Sequence, residues 1–186
     1  MKKQKVKRRI LLAALILLLL NLGNLGRMLY SVQYMDYIKQ YAALYEVDPY
    51  LIMSMIKSES NFDENAVSHK EATGLMQITR PTALWLAERM ALSDFRYEDI
   101  TEPALNIQMG CYYVAYLLNL YEGNVKNMLA AYNAGAGTVD GWLGDADCSK
   151  DGKTLFYVPY PETRRYITQV TNHEKMYRLL YKIRKY

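Results

Sequence analysis

Ile56-Lys57-Ser58-Glu59-Ser60-Asn61-Phe62 is the stretch on which the reading of this chain turns. Upstream of it, Leu51, Ile52, Met55 and Ile56 recur at helical spacing, so the segment closes a helix with an apolar face in a core. Asp48-Pro49 starts that helix, an N-cap acceptor followed by proline at the first helical position. The helix is predicted to run to about Ser60, which puts Glu59 in its last turn. There the negative end of the helix dipole disfavours a carboxylate. Burial beside Met55, Met76 and Phe62 disfavours it further, so the Glu59 pKa is expected to rise. A carboxylic acid still protonated near neutral pH is suited to general acid catalysis.

Working outward, the same periodicity predicts a helix over Ser31 to Tyr45 (Val32, Met35, Ile38, Ala42, Tyr45) and another from near Pro81 to Met90. Glu102-Pro103 opens a long helix through Tyr121, and Asn124 begins one that ends around Asn133, where Gly135 and Gly137 break the chain. Pro161 opens the last helix, whose apolar face includes Ile167, Val170, Met176, Leu179 and Leu180. Strand signals are confined to a short hairpin in Leu155 to Tyr160. The fold class is mainly α. Eighteen tyrosines stand against three phenylalanines; a ring with a hydroxyl suits half-wet surfaces and sugar faces, as well as plain core packing.

Three further strings follow the first in order: Gly74-Leu75-Met76-Gln77-Ile78, Ala130-Ala131-Tyr132-Asn133-Ala134-Gly135, and Pro161-Glu162-Thr163-Arg164-Arg165-Tyr166. Together with Glu59-Ser60 they resemble the soluble lytic transglycosylase family (glycoside hydrolase family 23), over about Tyr41 to Tyr177. The resemblance implies a lysozyme-like helical domain that cuts the MurNAc-GlcNAc β-1,4 bond of peptidoglycan. Ordinary glycosidases use two carboxylates, and no second acid stands in a matching string here. The family manages with one: Glu59 would protonate the leaving oxygen, then take the proton of the substrate's own C6 hydroxyl as it attacks C1. The product would be a 1,6-anhydromuramoyl end, formed without water.

The resemblance also distributes roles, each beside a plainer one. Ser60 would bond near the lactyl group or orient Glu59, or simply cap the helix. Gly74 permits a turn that places Met76 and Gln77 along the groove; Gln77 would donate to the sugar or orient the acid, and Met76 would contact the sugar or pack in the core. Tyr132 would bond Glu59 or the sugar, and Asn133 an N-acetyl group or only a helix end. Glu162 would lie under the catalytic acid or bind substrate, or be a first-turn acid favoured by the dipole. Tyr166, one turn later, could face the same groove. Two other readings compete: a hydrolytic muramidase, with Asp63 or Glu162 activating water, and a catalytically silent glycan-binding envelope protein. Intact Glu59, Gln77 and Tyr132 speak against the second.

Lys2, Lys3, Lys5, Lys7, Arg8 and Arg9 crowd the first nine residues, and without those six the chain has 17 basic against 19 acidic residues. The formal charge of +4 therefore belongs to one terminus, which argues against a nucleic-acid protein. Ile10 to Leu20 is unbroken apolar sequence, and Ile10 to Gly26 has the minimum length for crossing ~30 Å of hydrocarbon. A basic flank before an apolar run marks a signal anchor or a cleaved signal peptide. No small-x-small cleavage site is obvious, so the expectation is an anchor over residues 1–30, with a catalytic domain over 31–186 outside the membrane. The expected partners are a peptidoglycan glycan strand and the membrane.

Cys111 and Cys148 do not make a disulfide framework, and Cys111 reads as a small core residue. His69 and His173 lack ligand spacing, so no zinc is expected. Asp147 to Gly152 is like the start of a calcium loop, but Val158 stands where a bidentate Glu is required. No metal or cofactor is expected.

Overall fold

The computed structural model describes residues 2–183, excepting the side chains at positions 2, 5, 9, 14, 15, 17–20 and 22 of its first helix. The helices are α1 (Lys2–Leu29), α2 (Met35–Leu44), α3 (Pro49–Glu59), α4 (Arg80–Arg89), α5 (Pro103–Leu120), α6 (Val125–Ala134), α7 (Ala136–Leu143) and α8 (Pro161–Leu180), with a 3-10 turn at Tyr97–Thr101. Among the described residues there is no strand, only the isolated bridges Val67 to Thr73, Thr73 to Ile78 and Ser149 to Leu155. The hairpin expected in Leu155 to Tyr160 is therefore not formed.

The local start signals act as the sequence predicts. Asp48 accepts the Tyr50 N–H at 2.8 Å with Pro49 behind it, and Asn124 accepts the Asn127 N–H at 3.1 Å, each satisfying a donor that a helix N-terminus leaves open. Gly135, at φ 90°, ends α6. The chain resumes at once as α7, with Gly137 inside it, so the two glycines make a corner between helices and not an open stretch.

The expected single apolar face of α3 is corrected by its surroundings. All six residues from Leu51 to Ile56 are buried, because α2 and α8 both pack against this helix. Ser54, fully buried among them, donates to the Tyr50 carbonyl at 2.6 Å, which satisfies its hydroxyl. The face of α8 is also shifted from the predicted one. Thr163, Tyr166, Val170 and Tyr177 are its buried residues, while Leu179 is 77% exposed. Two tyrosines that composition alone leaves unassigned take the core positions.

Between α3 and α4, residues 60–79 form an irregular lobe held by backbone bonds and by one buried side chain. Asn106 of α5 accepts from the Met76 N–H at 2.8 Å and donates to the carbonyls of Ile100 at 2.8 Å and Thr73 at 3.2 Å. Gly74, at φ +81°, packs so closely on this amide that a Cβ would stand 2.2 Å from Asn106 Nδ2, so the glycine is required twice over. Residues 144–157 are pinned to α6 by Asn127, buried, whose Nδ2 donates to Lys153 O at 2.7 Å while its Oδ1 accepts from Leu155 N at 3.2 Å. The Asp151 carboxylate there accepts from the N–H groups of Lys153 and Thr154, which hold its pKa below the usual range. Cys111 and Cys148 are both buried free thiols.

Helix α1 carries the basic run and the apolar run as one element, and its C-terminal end docks on the domain. Lys57 Nζ donates to Leu29 O at 3.1 Å and Tyr181 Oη to Tyr30 O at 2.8 Å. The spanning anchor expected over Ile10 to Gly26 is not borne by what is described: no helix, among the described residues, is long and apolar enough to cross a membrane. Much of that run, including positions 17–20, lies outside the described side chains.

Candidate active site

Glu59 ends α3 where the lobe of residues 60–79, α6 and α8 converge. The residue is half-buried, and its carboxyl pKa is raised to about 7. Loss of solvent is the largest cause, and the nearby Glu162 carboxylate raises it further. Tyr166 works the other way: its buried hydroxyl lies close enough to favour the ionised carboxylate. It falls short of an ordinary hydrogen-bond geometry, and among the described residues no other group satisfies it. Tyr132 completes the group, since burial and, after it, the charge of Glu59 push its own pKa well above the usual phenol value. The sequence expectation of a carboxylic acid protonated near neutral pH thus has a physical basis in burial and like charge.

Beside this group opens a cleft of about 260 Å³, walled by Gln77, Ile78 and Thr79, by Thr82 of α4, Tyr113 of α5, and Tyr132, Asn133, Ala134 and Gly135 at the end of α6. Tyr132 belongs both to this wall and to the surroundings of Glu59. Its hydroxyl donates to Met76 O at 2.8 Å, so the expected bond from Tyr132 to Glu59 is not made. Its ring meets Tyr113 at a centroid distance of 5.3 Å.

The other expected residues gather here, with several changes of duty. Met76 is fully buried, and its sulfur lies so near Gly110 that a Cβ there would come within 2.0 Å. Core packing therefore claims the Met76 side chain, and its backbone carbonyl receives the Tyr132 hydroxyl. Both Gln77 amide protons are committed, to Ala66 O and Gly74 O at 2.9 Å each, which leaves its side-chain carbonyl for the cleft. Gln77 itself sits at φ 46°, a left-handed conformation imposed by the turn. Ser60 donates to Leu75 O at 2.9 Å, with a longer bond to Ile56 O at 3.3 Å, tying the lobe to the end of α3. Asn133 accepts from Thr163 at 2.8 Å. Glu162 is exposed in the first turn of α8 and faces Lys70 at 3.6 Å.

Of the acids weighed for a second role, Asp63 accepts from the Asn65 N–H at 2.9 Å in a polar turn. Among the described residues no cluster of His, Cys, Asp and Glu could hold a metal. Asn106 and Tyr113 carried no role in the sequence analysis, and Thr163 stood in the Pro161–Tyr166 string without a role of its own. An asparagine set between Leu105 and Ile107 was the available signal for Asn106; the parts played by the other two needed their tertiary neighbours.

The family described as "Transglycosylase SLT domain" matches residues 36–155. The chain is 30% identical over 151 residues to the soluble lytic murein transglycosylase of Salmonella typhimurium, covering 80% of this chain and 23% of that one. It is 29% identical over 174 residues to the membrane-bound lytic murein transglycosylase C of Edwardsiella ictaluri, covering 78% and 46%. Among solved structures it matches the 70 kDa soluble lytic transglycosylase of Escherichia coli with a TM-score of 0.72 and 28% identity, over 83% of this chain and 25% of that one. An inactive mutant of the Pseudomonas aeruginosa lytic transglycosylase matches with a TM-score of 0.72 and 25% identity. The chain thus spans about a quarter of the length of the soluble relatives and under half of the membrane-bound one. Its mainly helical, lysozyme-like architecture and the family match agree, and the chain belongs to the transglycosylase SLT domain family.

Proposed function

We propose that this chain is a peptidoglycan lytic transglycosylase that cleaves the MurNAc-GlcNAc β-1,4 bond with Glu59 as its single acid and base. The observation that carries the reading is the Glu59 carboxyl itself, raised to about 7 beside a sugar-sized cleft. At neutral pH a large share of it is protonated and able to donate to the glycosidic oxygen as the C1–O bond breaks. The carboxylate left behind then accepts the proton of the C6 hydroxyl, whose oxygen bonds to C1. Proton and bond count balance, and no water enters. The relatives named lytic murein transglycosylases support the same chemistry.

A hydrolytic muramidase is the alternative that one observation favours: Glu162 lies close enough to act electrostatically on Glu59. It is, however, exposed and paired with Lys70, a poor position for holding a base against a buried sugar. Digestion of peptidoglycan in heavy-oxygen water separates the two. Unlabelled anhydro ends are the expected products, whereas solvent oxygen at C1 would establish hydrolysis, and no products at all would leave a glycan-binding protein.

For location, we infer a tether over residues 1–30 that keeps residues 31–186 outside the membrane. Support comes from the six cations beside an apolar run and from the membrane-bound relatives. Fractionation tests it: the intact chain should sediment with membranes, and a mature form free in the medium, beginning after about Gly26, would refute the tether.

A further inference from the structure

The cleft wall continues outward as a ladder of rings that ends in a cation. Thr82 and Tyr113 line the cleft. One turn further along their helices stand Trp85 on α4 and Tyr116 on α5, with ring centroids 4.9 Å apart, and Trp85 also meets Tyr113 at 6.0 Å. Beyond them the Arg89 guanidinium lies over both rings, 4.6 Å from Trp85 and 5.2 Å from Tyr116. Thr82, Trp85 and Arg89 are spaced i, i+3, i+7 and so share one face of α4. Seven residues of helix rise ~10 Å, on the order of a disaccharide's length.

Arg89 is exposed and, among the described residues, takes part in none of the ion pairs. Stacking on two rings orients the guanidinium while leaving its N–H fork open, the arrangement that suits bidentate recognition of a carboxylate. Trp85 and Tyr116 are both part-exposed, and the ring surface that Arg89 does not cover suits the C–H faces of a pyranose.

We propose that Trp85, Tyr116 and Arg89 form an accessory subsite for a carboxylate-bearing muramoyl residue about one disaccharide away from the cleft. The inference rests on the glycan substrate argued above. The shared chemistry is a carboxylate, which either the lactyl group or an attached stem peptide supplies.

The test uses the full chain with Glu59→Gln to prevent cleavage and Trp142→Phe to leave Trp85 as the reporter, since the chain has two tryptophans. Titrations follow Trp85 fluorescence with an alternating GlcNAc-MurNAc disaccharide and with three hexasaccharides: lactyl carboxylates free, lactyl groups reduced to alcohols, and stem peptides attached. The free-carboxylate hexasaccharide should perturb Trp85, and Arg89→Ala should weaken it by about fivefold or more, the scale of a partly exposed charge-assisted contact. Reduction of the lactyl groups should weaken binding to the unmodified Arg89 chain equally, while the disaccharide should respond to neither change. If the peptide-bearing strand carries the Arg89 dependence instead, the stem-peptide carboxylate is the ligand. A change under about twofold for both charged strands, or no response of Trp85, overturns the subsite. The catalytic reading fails separately, on product analysis of the unsubstituted chain: anhydro ends without Arg89-dependent binding would sink only the subsite, and Arg89-dependent binding without anhydro ends only the chemistry.

Discussion

The hydroxyl of Thr163, buried in the first turn of α8, donates to the side-chain carbonyl of Asn133 at 2.8 Å. Two elements distant in sequence are thereby joined at the cleft wall, and the bond decides which end of the Asn133 amide is free. With its oxygen bonded to Thr163, the amide nitrogen is the end we expect to donate in the cleft, where an acyl carbonyl of an N-acetyl sugar would accept.

Thr163→Val keeps the shape of the side chain and removes that bond. KM for N-acetylated glycan should rise about two- to tenfold, as expected for one net hydrogen bond of ~0.5–1.5 kcal/mol, with kcat nearly unchanged. Thr163→Ser should restore the original KM. Steady-state kinetics on strands with and without acetyl groups give the check, because a purely structural role would not distinguish the two substrates.

Glu59→Gln should lower cleavage by at least ~10²-fold, within the range that general acid–base groups supply. The same variant tests the burial argument through stability. A carboxyl that titrates at 4.5 unfolded and about 7 folded holds its proton more tightly in the native state. The native state therefore binds more protons between those values, and stability falls as pH rises through that window, then levels off. The full loss is on the order of 3 kcal/mol. Thermal unfolding across pH 4 to 9 should show this decline, and Glu59→Gln should flatten it and be the more stable form at pH 8.

Two neighbours should move the alkaline limb of the activity profile in opposite directions. Glu162 raises the Glu59 pKa and Tyr166 lowers it. Glu162→Gln should shift the loss of activity to lower pH, because the acid would deprotonate earlier. Tyr166→Phe should shift it to higher pH. The sign, read from kcat/KM against pH, is the measurement; shifts in the same direction would contradict the geometry described for this group.

Asn106→Ala should be among the more damaging substitutions outside the site. It strands the Met76 N–H and the Ile100 carbonyl in the interior, while the Thr73 carbonyl keeps the Ile78 N–H. Unsatisfied buried groups cost ~1–3 kcal/mol each, with relaxation absorbing part of the sum. A loss of about 2–4 kcal/mol in urea unfolding is expected, together with reduced activity, since the turn that carries Gln77 would loosen.

The division between sequence and tertiary structure follows from the range of the forces involved. Asp48-Pro49, Asn124 and Pro161 mark their helices because capping and fixed φ act within one turn. The apolar run before Glu59 likewise made burial, and with it an elevated pKa, readable in the sequence, whereas the push from Glu162 and the opposing Tyr166 came from the fold. What a side chain does with its hydrogens is decided by groups far away in sequence. Gln77 and Tyr132 carry the donors a sugar would need, yet backbone carbonyls of Ala66, Gly74 and Met76 already hold them. Met76 goes to the core because the space over Gly110 fits its sulfur. Leu179 lies outside because Tyr166 and Tyr177 set the rotation of α8. Burial of a polar group compels a partner, and only the packed chain determines which partner is within reach.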